Sequence, residues 1–213
     1  MNEFTAWHRD TMGTKVVEAL AKNNFRATYC QTGQEAVTQV LNMIPNAATI
    51  GVGGSWTINE LGVLDTLAVQ GHTIFNHNKP GLSDEEKLTI RRAQLTCDVF
   101  LTSTNAVTMD GRLVNTDGIG NRVAAMIFGP KKVILIAGIN KIVRDVAEAE
   151  KRIKSVAAPI NNKRMNYPNP CIKTGECMDC QSPTRICNAT TILNKRPRLS
   201  DIHIFIVGEE LGF

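Results

Sequence analysis

The stretch KKVILIAG, residues 131–138, decides the fold class of this chain. Its centre, residues 133–137, is apolar at every position, so a strand there has no polar face. Strands of this kind are typical of parallel sheets that are covered by helices on both faces. CDVFLTS at 97–103 and DIHIFIVG at 201–208 carry similar apolar runs. The three stretches therefore predict an α/β fold with a mostly parallel sheet.

Segments with helical character alternate with these strands. Val16, Val17 and Leu20 recur at helical spacing, Thr32 is placed to cap a second helix, and Ser83 with Glu86 forms the pattern of a capping box. Alternating strands and helices predict a sheet with helices on both faces. The predicted helices span 11–23, 33–44, 84–95, 119–128 and 143–157.

The region 161–198 interrupts this alternation, because it is rich in proline near its cysteines and shows no sustained period. Irregular insertions of this length within a domain are usually functional or disordered. We therefore predict one α/β domain formed by residues 1–160 and 199–213, with a four-cysteine insertion at 161–198 before the last strand.

Composition limits the location and partners of the protein. No stretch is apolar enough for a membrane span and the N-terminus lacks a signal-peptide pattern, so we expect a cytoplasmic protein with reduced thiols.

Residues 151–198 hold ten of the 24 basic residues but two of the 20 acidic ones. The KRPR run at 195–198 raises the alternative of nucleic-acid binding, which the lack of interleaved aromatic residues disfavours.

A glycine-rich turn follows an apolar strand in TIGVGGSWTINELG, residues 49–62. Gly53 and Gly54 allow the backbone to approach a ligand closely, and Ser55 and Thr57 precede a predicted helix. The turn could bind a phosphate or carboxylate, although it matches neither of the common nucleotide-binding motifs. The alternative is a tight strand-to-helix turn in which Ser55 or Thr57 is the N-cap.

A second polar region follows the predicted strand CDVFLTS, at the end of the sheet where α/β proteins bind ligands. Turn formation alone is the alternative explanation, and it accounts well for a hairpin at Asp110 and Gly111. The candidate ligand-binding residues in this region are Asn105, Asp110, Asp117, Gly118, Gly120 and Asn121.

Glu60 is the one carboxylate considered as a catalytic group. It lies one helical turn beyond the glycine turn, where it could act as a base or as an acyl acceptor. Its position three residues after Thr57 also suits a capping box. His77, which follows a predicted strand at 72–75, is the histidine with the most suitable position for a functional role.

Four cysteines of the insertion, Cys171, Cys177, Cys180 and Cys187, have the spacing C-x5-C-x2-C-x6-C. Four thiolates can complete the coordination of zinc or of an iron–sulfur cluster. The spacing matches neither a zinc ribbon nor a bacterial ferredoxin, and unmetallated thiols are a further alternative. Cys30 and Cys97 are assigned to the core.

Three longer stretches resemble the LUD (lactate utilisation) domain family. They are GVGGSWTINELGV at 51–63, STNAVTMDGRLVNTDGIGNRVAAMIFGPKKVILIAGINKIV at 103–143 and IVGEELGF at 206–213, and the resemblance extends from about residue 10 onwards. It implies the fold of sugar-phosphate isomerases and CoA transferases. It also implies that the glycine turn binds an anion opposite Asp110, Asp117, Gly120 and Asn121, with Asn140 and Lys141 on a third loop.

The resemblance implies a setting in which lactate is oxidised through iron–sulfur partner proteins, and this favours an iron–sulfur cluster over zinc. We expect a small anionic ligand and an iron–sulfur redox partner, and a homo-oligomer is compatible with the sequence. The first alternative is a CoA transferase or sugar-phosphate isomerase with Glu60 as its reactive carboxylate. The second is a ligand-binding or assembly module with structural zinc.

Overall fold

Two sheets contain the strands of the computed structural model, which describes residues 2–213. The strands in chain order are β1 (Arg26–Cys30), β2 (Ile50–Val52), β3 (Ile74–Phe75), β4 (Val99–Thr102), β5 (Ala106–Thr108), β6 (Leu113–Asp117), β7 (Lys132–Gly138), β8 (Ile142–Val143), β9 (Ala189–Leu193) and β10 (Ile202–Val207). The first sheet has the order β1-β10-β7-β4-β2-β3 and all its pairings are parallel. This confirms the predicted mostly parallel sheet.

Helices cover both faces of the first sheet. The helices in chain order are α1 (Glu3–Lys22), α2 (Gly33–Asn42), α3 (Trp56–Glu60), α4 (Val63–Val69), α5 (Asp84–Ala93), α6 (Asn121–Ile127), α7 (Val146–Arg152), α8 (Ala158–Arg164) and α9 (Cys171–Thr174), and of these α7 packs against strands of the second sheet. A 3-10 turn at Ile139–Lys141 precedes β8, and a π-helical turn at Ile153–Ala157 joins α7 to α8. Among the described residues, no helix has both the length and the apolar character that crossing a membrane requires.

Alternate residues of the central strands pack into two different cores. Ile134 and Ile136 of β7 pack with residues of α2, α3 and α4, whereas Val133, Leu135 and Ala137 pack with residues of α1 and α6. Both faces of the strand are therefore buried, which explains its uninterrupted apolar sequence.

Most predicted helix starts agree with the structure. Thr32 caps α2, and Ser83 with Glu86 forms the predicted capping box at the start of α5. Helix α1 begins eight residues before the predicted position, because the Asn2 side chain caps it by accepting a hydrogen bond from the Thr5 N–H. Phe4 and Trp7 in this first part of the helix are apolar but exposed, so the apolar periodicity did not indicate that the helix includes them.

The second sheet, of order β8-β5-β6-β9, was not predicted. Strands β5 and β6 form the expected antiparallel hairpin, in which Gly111 has a φ of 80°. Strand β9 pairs with β6 over five residues, so the region 161–198 is not wholly irregular. In addition, the proposed domain boundary at residue 160 falls inside α8, which ends at Arg164.

Candidate functional site: a cationic cavity at the carboxyl ends of the parallel strands

A cavity of about 460 Å³ opens at the carboxyl ends of four parallel strands. The glycine turn follows β2, His77 follows β3, Ser103 follows β4 and Lys141 follows β7, and all of these line the cavity. Residues of α8 and of the segment 183–188 complete the lining. This is the usual ligand-binding edge of an open parallel sheet.

The glycine turn forms one side of this cavity. Gly54 has a φ of 69°, a left-handed conformation that favours glycine. A side chain on Gly53 would place its Cβ 2.9 Å from Thr102 Oγ1, so the backbone packs tightly against β4. Ser55 is the N-cap of α3 and accepts a hydrogen bond from the Ile58 N–H at 3.3 Å. Ser55 was thus correctly considered as an N-cap, whereas Thr57 is not one.

Lys141 lies at the inner end of the cavity with 3 % of its surface exposed. Its Nζ donates hydrogen bonds to Thr57 Oγ1 and Ser103 Oγ, each at 2.9 Å. Burial and, to a smaller extent, the charges of Arg152 and Arg122 lower the pKa of Lys141 to about 7, against the opposing charge of Glu60. The amine is therefore part neutral and part charged near physiological pH.

Positive charge exceeds negative charge among the side chains that line the cavity. Asp117 is its single acidic side chain, and Asp117 forms an ion pair with Arg122. Of the remaining cations, Arg185 pairs with Asp179 outside the cavity. Arg91, Lys141 and Arg164 have no carboxylate within 4.0 Å in residues 2–213. These three side chains give the cavity its net positive charge.

Arg91 and Arg164 occupy different positions in the cavity wall. The Arg91 Nε is buried and has no hydrogen-bond partner in the described part of the chain. Arg164 donates from Nη2 to the Gly54 carbonyl at 3.4 Å, and its guanidinium carbon lies 5.9 Å from the centre of the Trp56 ring. Arg164 therefore connects α8 with the glycine turn.

Arg122 is a structural residue rather than a free cation. Its Nε donates to Asp117 at 2.9 Å, and its two terminal nitrogens donate to Asn105, Asn115 and the carbonyls of Ser103 and Thr116. All five N–H groups of the guanidinium thus have an acceptor. This network fixes the ends of β4 and β6 relative to α6.

His77 is buried and adjoins the glycine turn. Its Nδ1 lies 2.9 Å from the Gln94 amide nitrogen, which also donates to the carbonyls of Val52 and Phe75. Burial and the positive charge of Arg91 together lower the pKa of His77 to about 4. At neutral pH the ring is therefore an uncharged part of the cavity lining.

Most of the predicted ligand-binding residues lie together at this cavity. They are Gly53, Gly54, Ser55, Thr57, Asn105, Asp117, Gly118, Asn121 and Lys141. Asp117 and Asn105 serve the Arg122 network, and Gly118 allows close packing, since a Cβ there would lie 2.9 Å from Ile186 Cα.

Three predicted site residues do not line the cavity. Asp110 lies in the β5–β6 turn, where it pairs with Arg112 and its backbone contacts Asn23. Gly120 is the N-cap of α6 with a φ of 90°, so its role is in the turn. Glu60 is exposed, and its carboxylate accepts a hydrogen bond from the Gly212 N–H at 2.6 Å. The predicted capping box of Thr57 and Glu60 is wrong, because the N-cap of α3 is Ser55.

Three arginines of the cavity lining, Arg91, Arg122 and Arg164, were not predicted from the sequence. Arg91 belongs to the highly charged helix α5 and is followed by Arg92, which is exposed. The charge pattern of this helix does not show which of the two arginines faces the cavity. Arg164 was assigned to the insertion rather than to the domain. Arg122 follows Asn121 directly in the motif NTDGIGNR, and this adjacency was the available signal.

The four cysteines of the insertion line a second, small cavity of about 20 Å³. Burial raises the pKa of the Cys187 thiol to about 11, and the charges of Cys177, Cys171 and Cys180 contribute to this rise. Cys171 Sγ accepts a hydrogen bond from the Asn162 side chain at 3.4 Å, and Cys177 Sγ accepts one from the Asp179 N–H at 3.4 Å. No three donor side chains in residues 2–213 adopt the arrangement of a metal-coordination group.

The two cavities share part of their walls. Ala158, Arg185, Ile186 and Cys187 line both of them. Arg185 holds two parts of the cysteine segment together. Its Nε donates to the Cys187 carbonyl at 3.1 Å, and its Nη1 donates to the Cys180 carbonyl at 2.5 Å. Cys187 therefore belongs to the lining of both cavities.

The fold and the cavity define an α/β protein with a cationic cavity at the carboxyl edge of a parallel sheet. The sequence model of the LUD domain matches residues 13–207, and the chain belongs to the LUD domain family. This membership supports an association with lactate utilisation.

A solved structure of a DUF162 family protein from Deinococcus radiodurans is similar to this chain. The TM-score is 0.55 at 15% sequence identity, and the match covers 93% of this chain and 98% of that one. At this identity the likeness concerns the fold. No curated protein is similar in sequence to this chain.

Proposed function

We propose that this LUD-domain protein takes part in lactate utilisation by binding a small anionic ligand in the cationic cavity. The observation that carries the proposal is the set of three cations, Arg91, Lys141 and Arg164, which have no carboxylate partner among the described residues. Partly buried charges that lack a counter-charge destabilise a folded protein, and an anion in the cavity would offset this cost. A volume of about 460 Å³ suits a metabolite-sized ligand.

Removal of Arg91 or Arg164 is expected to weaken anion binding. Because a hydrogen bond to a charged group contributes about 1.5–3 kcal/mol, Arg91→Gln or Arg164→Gln should weaken affinity by roughly 10- to 100-fold. The measurement is isothermal titration calorimetry with L-lactate, pyruvate and inorganic phosphate. The matched control is Arg92→Gln, because Arg92 follows Arg91 on α5 but is exposed and does not line the cavity. Equal affinities of the Arg91 and Arg92 variants for an anion that binds the native protein would contradict the proposal.

We also propose that Cys171, Cys177, Cys180 and Cys187 hold an iron–sulfur cluster, with zinc as the alternative. The proposal is supported by the chemistry of the side chains around the small cavity, which include four thiols, and by two N–H groups that donate to sulfur. In this structure the four thiols do not have the arrangement of a coordination group, so metal binding would bring them together. A bound cluster would accept and release single electrons, whereas zinc would stabilise the segment 171–188. Because the two cavities share lining residues, a group bound by these cysteines would lie next to the proposed anion site.

Metal analysis of anaerobically purified protein tests this second proposal. We expect iron and acid-labile sulfide with broad visible absorbance, and we expect Cys180→Ser to lose both. Cys30→Ala is the control, because Cys30 is a buried core residue outside the small cavity. Stoichiometric zinc in a colourless protein would support the structural alternative, and the absence of metal from freshly purified protein would contradict both.

The transferase or isomerase alternative, with the corresponding fold superfamily, has less support. Its reactive carboxylate, Glu60, is outside the cavity lining and is held by the Gly212 N–H. Helix α3, which carries Glu60, contributes the Thr57 hydroxyl to the cavity, and this hydroxyl accepts a hydrogen bond from Lys141. Lys141 is therefore the better-placed reactive group of this site.

A further inference from the structure

Lys141 has an unusual hydrogen-bonding position for a cavity lysine. Its Nζ contacts the hydroxyl oxygens of Thr57 and Ser103, and no carboxylate lies within 4.0 Å of it in residues 2–213. Thr57 Oγ1 and Ser103 Oγ lie within reach of the Leu211 and Thr104 carbonyls, at 3.4 and 3.5 Å, to which each can donate its own proton. Both hydroxyls can therefore accept from Nζ at the same time.

These hydrogen bonds determine which part of the Lys141 amine is available to a ligand in the cavity. A neutral amine has two N–H groups and one lone pair, and the two hydroxyls accept both N–H groups. The lone pair is then the group left without a partner. Burial lowers the pKa of Lys141 to about 7, so a large fraction of the amine is neutral at physiological pH. Desolvated lysines of this kind are effective nucleophiles toward carbonyl groups.

The surroundings of Lys141 select an anionic electrophile. Arg91 and Arg164 line the same cavity and lack carboxylate partners within the described residues, so they can bind a carboxylate or phosphate group. A nucleophilic amine in the same cavity as two guanidinium groups without a carboxylate partner among the described residues matches a ligand that carries both a carbonyl and a negative charge.

We infer that Lys141 is a catalytic nucleophile that forms an imine with the carbonyl carbon of a small anionic aldehyde or ketone. This inference rests on the proposed function and adds the chemical class of the ligand. The Nζ lone pair forms a bond to the carbonyl carbon, and the C=O π electrons move to the oxygen. Both amine protons then pass to that oxygen, which leaves as water, and a C=N bond remains. The step needs no oxidant, reductant or further reactant.

Reductive trapping tests the inference on the full chain. The protein is incubated near pH 7 with pyruvate as the carboxylate probe or dihydroxyacetone phosphate as the phosphate probe, each with cyanoborohydride. Peptide mapping by mass spectrometry then locates the reduced adducts. L-Lactate, which has the same charge as pyruvate but no carbonyl, is the matched ligand control.

The neutral fraction of an amine with a pKa of about 7 exceeds that of an ordinary lysine on the order of a thousand-fold at pH 7. We therefore expect more than about ten-fold greater labelling at Lys141 than at exposed Lys15 with at least one of the two probes. Lys141→Met should lose the adduct, and Lys15→Met should retain it. The probe that labels identifies the carboxylate or the phosphate as the ligand's charged group.

The possible failures are distinguishable. If L-lactate or inorganic phosphate binds in calorimetry but neither carbonyl probe labels Lys141 above Lys15, the inference is overturned and the proposed anion binding stands. If none of the four compounds binds or labels, both fail. Circular dichroism of Lys141→Met verifies folding, and an adduct that persists elsewhere in the cavity of this folded variant would also overturn the assignment.

Discussion

Arg122→Met is expected to lower the free energy of unfolding by about 3–5 kcal/mol, because it breaks a buried ion pair and leaves one charge without its partner. The Arg122 and Asp117 side chains are 12% and 9% exposed, and all five guanidinium N–H groups have protein acceptors. The variant would leave Asp117 with the Val123 N–H as its remaining donor and would remove one of the two donors to each of the Asn105 and Asn115 side-chain oxygens. Denaturant-induced unfolding measures the change.

Arg112→Met provides the matched control for this prediction. Arg112 pairs with Asp110 in the same β5–β6 region, but these side chains are 41% and 50% exposed. Exposed ion pairs contribute at most about 1 kcal/mol, so this variant should remain close to the native stability. Similar losses for the two variants would show that the Arg122 network does not fix the wall of the cavity.

Lys141→Met is expected to remove a pH-dependent destabilisation of the folded protein. Burial lowers the pKa of Lys141 to about 7 in the folded state, whereas an unfolded lysine has a pKa of about 10.4. Between these two values the unfolded state binds more protons, so native stability should rise with pH by at most about 1.4 kcal/mol per pH unit from this group. Below pH of about 7 both states are charged and the destabilisation is complete.

The difference in unfolding free energy between the native protein and Lys141→Met isolates this contribution. Groups near Lys141 are Glu60 on α3, Arg122 on α6 and Arg152 on α7, and these remain in the variant. We expect the methionine variant to be more stable near pH 7, with the difference decreasing steadily toward pH of about 10. A difference that does not change over this range would mean that Lys141 titrates normally.

The sequence predicted the elements whose pattern depends on local chemistry and on full burial. The apolar runs of β4, β7 and β10 predicted the parallel sheet, and the side-chain oxygens of Thr32 and Ser83 predicted two helix starts. Strand β9 could not be predicted in this way. Its residues are alternately half-buried and exposed, and its pairing with β6 joins positions more than seventy residues apart.

At the site too, the features that depend on local sequence were predicted, and those that depend on long-range packing were not. Glycine and hydroxyl residues of the turn after β2 were predicted, because both the strand and the turn are local patterns. The two arginines without a carboxylate partner among the described residues were not predicted. No local sequence feature separates Arg91 from Arg92 or indicates that Arg164 lines a cavity. Lys141 was placed near the ligand by the resemblance, while its burial and its lack of a carboxylate partner depend on the packing of α3, β4 and β7 around it.

The central claim is that the cavity beside Lys141 binds an anion, and proton-linked calorimetry tests it most directly. A bound anion would favour the charged amine and raise the pKa of Lys141, so the protein should take up protons on binding. Titration of L-lactate or phosphate near pH 8, in buffers of different ionisation enthalpy, should show an uptake approaching about one proton per anion in the native protein and close to none in Lys141→Met. Equal affinity and equal proton uptake in the two proteins would contradict the account.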